Sequence, residues 1–309
     1  MLEDGSAGSP QDAGFTYQYD ANGNLTRKTG KAAGAATAYT YDAENQLIRI
    51  DLPNGTAAEY AYDGLGRRIQ KSVGGAVTRY VYDNEDILLE LNGANALQAR
   101  FTHGPGIDEP LIMSRGGQSF FYHTDGLGSI TDLSDATASL VQSYVYDSFG
   151  NIVFQSGTAV NPYTYTGREF DSESGLYYYR ARYYDARAGR FLQEDPINLK
   201  TIQLNLQKKR ILSITSSLQG LQEMPSLNNL YSYAANNPIN FLDPNGELLF
   251  TPQFAAFAAI TFLIIILLRF LHFVGQTLCR IPSDPSGPDP RLAGRARPSV
   301  TVTAPSGLR

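Results

Sequence analysis

Side chains able to do chemistry are few in this chain and stand far apart. The histidines, His103, His123 and His272, have no partner at metal-ligand spacing, so no metal site is expected. A lone cysteine, Cys279, excludes an internal disulfide framework. No phosphate loop, dinucleotide fingerprint or nucleophile elbow is present, and no cofactor is expected. Carboxylates and phenols remain. Two Asp-Pro pairs, Asp195-Pro196 and Asp243-Pro244, each read on their own as the start of a turn whose carboxylate caps it. The chain carries 20 tyrosines and 15 phenylalanines but no tryptophan, and rows of such rings either pack a sheet or, left exposed, stack on sugar rings. With 25 basic against 30 acidic residues and no basic stripe, nucleic acid is not an expected partner.

The elements that must hold these groups are visible as a repeat. A tyrosine-aspartate signature ends at Asp20, Asp42, Asp63, Asp83, Asp125 and Asp147, in steps of about 21 residues, and FTHG ending at Gly104 fills the one double-length gap in phase. Self-similarity at this period marks units that bury their apolar faces only by stacking on neighbours. Within a copy such as Tyr60-Ala61-Tyr62-Asp63, the two rings sit two residues apart and so project from one face of a strand. Asp63 then reads as an Asx-turn acceptor, with Gly64 and Gly66 tolerating the positive φ of a tight turn. A second set of turns, Pro53-Asn54-Gly55, Gly74-Gly75, Asn92-Gly93 and Gly116-Gly117, falls between the first. Two turns per period leave room for two strands, so each repeat is a β-hairpin. Hairpins zipped side by side would bring the tyrosines into a ladder that forms the core.

These residues carry a family resemblance. The YD copies, the run YHTDGLGSITDLSDATASLVQSYVYDSFGNIVFQSG from Tyr122, and YTYTGREFDSESGLYYYRARYYDARAGRFLQEDPI after it resemble the Rhs/YD-repeat superfamily and its Rhs-associated core domain. The resemblance implies a large β-sheet spiralling into a shell around a variable C-terminal effector, with the core domain closing one end. It also implies aspartyl-protease-like self-cleavage, single-turnover, by Asp195 and Asp243, with the cut at Glu247 and Leu248. Two carboxylates brought close cannot both ionise cheaply, so such a pair shares a proton and can act as acid and base on one water.

This chain departs from the family pattern in places. Asn198 stands where glycine is usual, Glu247 where leucine is usual, and an insertion at about 198–227 sets the aspartates 48 positions apart, roughly twice the usual separation. An insertion can bulge out while its ends keep their places, because closure entropy grows only logarithmically with length. Arg190, just before the first motif, is the nearby cation, able to lower the pKa of a neighbouring carboxylate but read first as a surface ion pair.

Beyond the second motif the composition changes. Phe254 to Leu268 contains 15 residues without a charge, and the apolar character resumes after Arg269 as far as Val274, the length a membrane helix needs and the reading preferred here over a buried core helix. The arginines Arg269, Arg280, Arg291, Arg295 and Arg297 all follow the apolar stretch, which puts the C-terminus on the cytoplasmic side. The expected organisation is a disordered segment at 1–14, YD repeats at 15–121, the core at 122–247, an apolar transmembrane helix within 248–280 and a disordered tail at 281–309, with no signal peptide visible. The expected fold is mainly β: tandem hairpins in a curved, open antiparallel sheet, a partial shell with an exposed N-terminal edge, plus one C-terminal apolar helix.

Three functions fit this reading. One is a scaffold and processing module of an Rhs-type polymorphic toxin. Another is a non-catalytic surface module that binds carbohydrate or protein and is anchored by the helix, and the third is a short membrane-active C-terminal toxin. Expected partners are the chain's own C-terminal effector, an immunity protein, an upstream repeat chain, carbohydrate and the membrane. The expected location is membrane-associated, cell-surface or secreted, in a bacterium.

Overall fold

The computed structural model describes residues 14–31, 34–196 and 229–247. The expected C-terminal helix, both disordered termini, the 198–227 insertion and Leu248 lie outside the described residues. Among the described residues no helix is long and apolar enough to cross a membrane.

Fourteen strands follow one another as an antiparallel meander: β1 (Phe15–Tyr19), β2 (Leu25–Gly30), β3 (Ala36–Tyr41), β4 (Leu47–Asp51), β5 (Ala57–Tyr62), β6 (Arg68–Val73), β7 (Ala76–Asp83), β8 (Asp86–Asn92), β9 (Leu97–His103), β10 (Pro110–Arg115), β11 (Gln118–Thr124), β12 (Ile130–Ser134), β13 (Leu140–Tyr146) and β14 (Ile152–Gly157). The aspartate of the signature makes the turn as its spacing predicts. Asp63 Oδ1 accepts the backbone N–H of Leu65 at 2.9 Å and of Arg67 at 3.0 Å, and Gly66 follows at φ +82°. Asp20, Asp42, Asp125 and Asp147 accept the same pair of amides in their own turns.

The two tyrosines of a copy have different tasks. The first is buried: Tyr39, Tyr60, Tyr80, Tyr122 and Tyr144 all belong to the core. The second joins hairpins. A bulge at Ala61/Tyr62 shifts the register, and the β4–β5 ladder ends at Arg49 and Glu59, so the Leu47 carbonyl lies beyond it. The Tyr62 hydroxyl donates to that carbonyl at 2.6 Å. Tyr41 does the same for Leu25 at 3.0 Å, Tyr82 for Arg68 at 2.9 Å and Tyr146 for Ile130 at 2.7 Å. In the degenerate FTHG copy His103 takes the tyrosine's place, its Nε2 3.0 Å from the Ile87 carbonyl. A buried carbonyl without a donor is costly, so each second tyrosine staples its hairpin to the one before.

A second, four-stranded sheet comprises β15 (Glu169–Asp171), β16 (Leu176–Tyr179), β17 (Arg182–Asp185) and β18 (Arg190–Phe191). Every residue of β16 and β17 is buried. Tyr178 and Tyr183 pack among Leu25, Tyr39, Leu47 and Tyr60 of the first sheet. Backbone N–H groups at bulged positions of the first sheet are satisfied from the second sheet and its flanks: Leu25 N–H donates to the Leu192 carbonyl at 2.9 Å, Ile130 N–H to that of Thr164 at 2.9 Å, and Arg68 N–H to the Tyr178 hydroxyl at 3.1 Å. The tyrosine ladder is therefore half of a core whose other half is this segment. Covered in this way, Tyr39, Tyr60, Tyr80, Tyr122 and Tyr144 are interior, whereas Tyr19 at the first strand is exposed.

The same contacts require curvature. Lys28 on β2 lies 2.5 Å from the Asp185 carboxylate, and Asn151, just before β14, donates to the carbonyl of the next residue, Ala186, at 3.0 Å. Strands β2 and β14 are twelve positions apart, roughly 58 Å in a flat sheet. The sheet must curl for both to reach adjacent residues. Among the described residues it is open, with β1 and β14 as edges that do not pair with each other.

Candidate functional site

The Asp-Pro aspartates come from different parts of the second sheet's surroundings. Asp195 follows β18 in a stretch that runs beside residues 230–232. Phe191 N–H donates to the Tyr231 carbonyl at 2.9 Å, and Asp195 N–H to that of Leu230 at 3.0 Å. The two ends of the inserted stretch are thereby held side by side, which is how the wide sequence separation is absorbed. Asp243 sits in a turn built like those of the repeats: Gly246 N–H donates to its backbone carbonyl at 3.2 Å, and Glu247 N–H to its Oδ1 at 3.0 Å. Its capping role, read from the sequence, uses one carboxylate oxygen and leaves the other to face inward.

Both inward oxygens meet Arg182. Its Nη2 lies 3.0 Å from Asp195 Oδ2 and 3.1 Å from Asp243 Oδ2, so the two oxygens are no farther apart than these two distances laid end to end. Arg182 Nη1 donates to the Leu230 carbonyl at 3.0 Å, Nε donates to the Gly246 carbonyl, and the guanidinium lies 3.7 Å from the centroid of the Phe191 ring. This arginine, the first residue of β17, is 1% exposed. Burial pushes the Arg182 pKa down, and Asp195 and Asp243 oppose that shift. One guanidinium planar enough to reach four acceptors organises the whole site.

The sequence expectation was a pair of carboxylates with a proton between them. The two aspartates do come together, but around a shared cation. Arg182 was not singled out in the sequence; Arg190 was, and its backbone forms a bridge with Ser232. The signal for Arg182 is the run YYYRARYYD, where a strand of aromatic residues that must be buried also carries an arginine, which then needs buried acceptors. Gly246 is equally constrained. It sits at φ +65°, and a Cβ there would lie 2.4 Å from the Tyr179 carbonyl oxygen. Among the described residues no group of side chains is arranged to hold a metal.

Residues 10–239 of the chain match the teneurin YD-shell family. The chain belongs to the Rhs/YD-repeat family. It is 35% identical over 254 residues to the tRNA nuclease WapA of Bacillus subtilis (strain 168), covering 79% of this chain and 10% of that protein. It is 30% identical to the toxin protein Tse5 of Pseudomonas aeruginosa, covering 80% of this chain and 20% of Tse5. Among solved structures, the Tc holotoxin pore of Photorhabdus luminescens shares the fold with a TM-score of 0.50 at 19% identity, over 75% of this chain and 13% of that one. This Rhs/YD-repeat chain thus spans a fifth or less of the length of these relatives.

Proposed function

We propose that this Rhs/YD-repeat chain is the scaffold and processing module of an Rhs-type toxin, secreted or displayed at the cell surface, and that it presents the segment after Glu247 as cargo. Its homologues are named as toxins and nucleases, which supports the role of carrier. The observation that carries the processing role is the meeting of Asp195 and Asp243 on the buried Arg182, with Asp243 also holding the backbone N–H of Glu247.

The chemistry proposed is one hydrolysis of the chain's own backbone next to Glu247. One carboxylate takes a proton as water adds to the carbonyl carbon, and the other, in its acid form, delivers a proton to the departing amine as the C–N bond breaks. Arg182 keeps both groups in place through this exchange. Water supplies both new termini, and no other reactant is needed.

Intact-mass measurement of the purified full chain tests this. A fragment beginning near Leu248 is expected from the unmodified chain and should be absent from Asp243→Asn and from Asp195→Asn. Full-length protein in all three would end the processing role.

A further inference from the structure

Beside the aspartates lies a cleft of about 360 Å³ between the first sheet's turns and the second sheet. Leu47, Tyr62 and Leu65 line it from one side, Tyr178 and Tyr183 from the other, with Glu44, Gln46, Glu85 and Gln193 among them. Pro196, Asn245 and Glu247 also belong to the lining. Leu65 is 80% exposed, the largest value for a big apolar side chain among the described residues. The cations at the rim are already neutralised: Arg67 pairs with Asp63 at 2.6 Å, and Arg180 with Asp108 at 2.8 Å and Glu85 at 3.2 Å. An anionic ligand would find no unpaired partner in these two arginines, whereas an apolar chain would find a bare leucine, Leu65, beside the half-buried Tyr62.

The chain itself supplies such an occupant. Its path up to the cleft is fixed at successive residues: Arg180 Nη1 donates to the Pro244 carbonyl at 2.7 Å, Arg182 Nε to the Gly246 carbonyl, and Glu247 N–H to Asp243 at 3.0 Å. The next residues are Leu248, Leu249 and Phe250, all apolar. Extended, three residues reach about 10 Å, enough to cross the cleft from its edge. We propose that this cleft seats Leu248-Leu249-Phe250 and thereby holds the segment just beyond the cut in place relative to the two aspartates, a role that rests on the self-cleavage reading above. A seated segment on the departing side means that the bond is presented by two anchors, Arg182 before it and the cleft around Leu65 after it.

Cysteine cross-linking in the full chain tests the seating apart from the cutting. The chain carries Asp243→Asn to keep it whole and Cys279→Ser to remove the native thiol, together with Leu65→Cys and Leu249→Cys. The control pairs Leu140→Cys with Leu249→Cys, since Leu140 is 64% exposed and begins β13 at the strand end away from its YD turn. Under mild oxidation the 65–249 pair is expected to close into a disulfide, seen as a mobility shift without reductant, while the 140–249 pair stays reduced. The same result in an Asp195→Asn background guards against a folding defect of one variant. Equal oxidation of both pairs, or none in either, overturns the seating. A disulfide together with an uncut unmodified chain would keep the seating and remove the self-cleavage that gives it a purpose.

Discussion

At the scale of single residues, Arg182 decides what the site can be. A buried guanidinium that lost its two aspartates, or aspartates that lost it, would leave charge without compensation. Arg182→Met is therefore expected to destabilise the chain by about 3–5 kcal/mol and to abolish the fragment, with the denaturant midpoint and intact mass as readouts. Undiminished cutting in a folded Arg182→Met protein would show that the arginine is dispensable to the chemistry. Gly246 gives a gentler test. Adding one methyl at φ +65°, against the Tyr179 carbonyl at 2.4 Å, must displace the turn that carries Glu247. Gly246→Ala should cost about 1–3 kcal/mol and slow the cut, and an unchanged rate and midpoint would mean that the turn yields freely.

At the scale of the element, the repeat unit makes unequal use of two identical side chains. The Tyr62 hydroxyl donates to the Leu47 carbonyl, whereas the Tyr60 hydroxyl is buried without a hydrogen-bond partner. Tyr62→Phe should cost about 1–3 kcal/mol, because it orphans a carbonyl, while Tyr60→Phe should be neutral or slightly stabilising. Denaturant midpoints of the two variants decide between this and a uniform tyrosine ladder, for which the two would shift alike. Much of this element was legible beforehand. The aspartate turn, the alternation of faces and the hairpin period depend on residues two to four positions apart, and such short-range geometry is written directly in the order of side chains. The staple was not legible, since which carbonyl a bulge leaves beyond the ladder depends on pairing with another hairpin.

At the scale of the whole molecule, the two sheets are locked by buried charge as well as by rings. Arg68 of β6, 1% exposed, lies 2.5 Å from Asp171 of β15, and Lys71 lies 2.8 Å from the same carboxylate. Burial would raise the Asp171 pKa, but Arg68 and Lys71 outweigh it and hold it below the ordinary value of 3.8. A depressed carboxylate contributes stability that is fully present above its unfolded value and is lost as pH falls through the native one. The sheets are expected to hold at neutral pH and to lose this contribution in acid, below the ordinary range. Asp171→Asn should lower the melting temperature at pH 7 and lower it progressively less as the wild-type carboxylate protonates. A difference that stayed constant down to acid pH would remove Asp171 from the lock.

Local rules along the chain were enough to establish the hairpins, their turns, the open sheet and its apolar stripe of tyrosines, because each rests on contacts between near neighbours in sequence. Those rules read Asp195 and Asp243 only as ordinary turn residues, and the family resemblance is what singled them out. Tertiary packing alone brought those two aspartates to one guanidinium, since Arg182 reaches Asp243 across 61 residues and only does so where β17 is buried on both faces. It likewise turned the tyrosine rows from a candidate surface into an interior. A second sheet with its own rings was available to cover them, and removing that much apolar area from water outweighs leaving it bare.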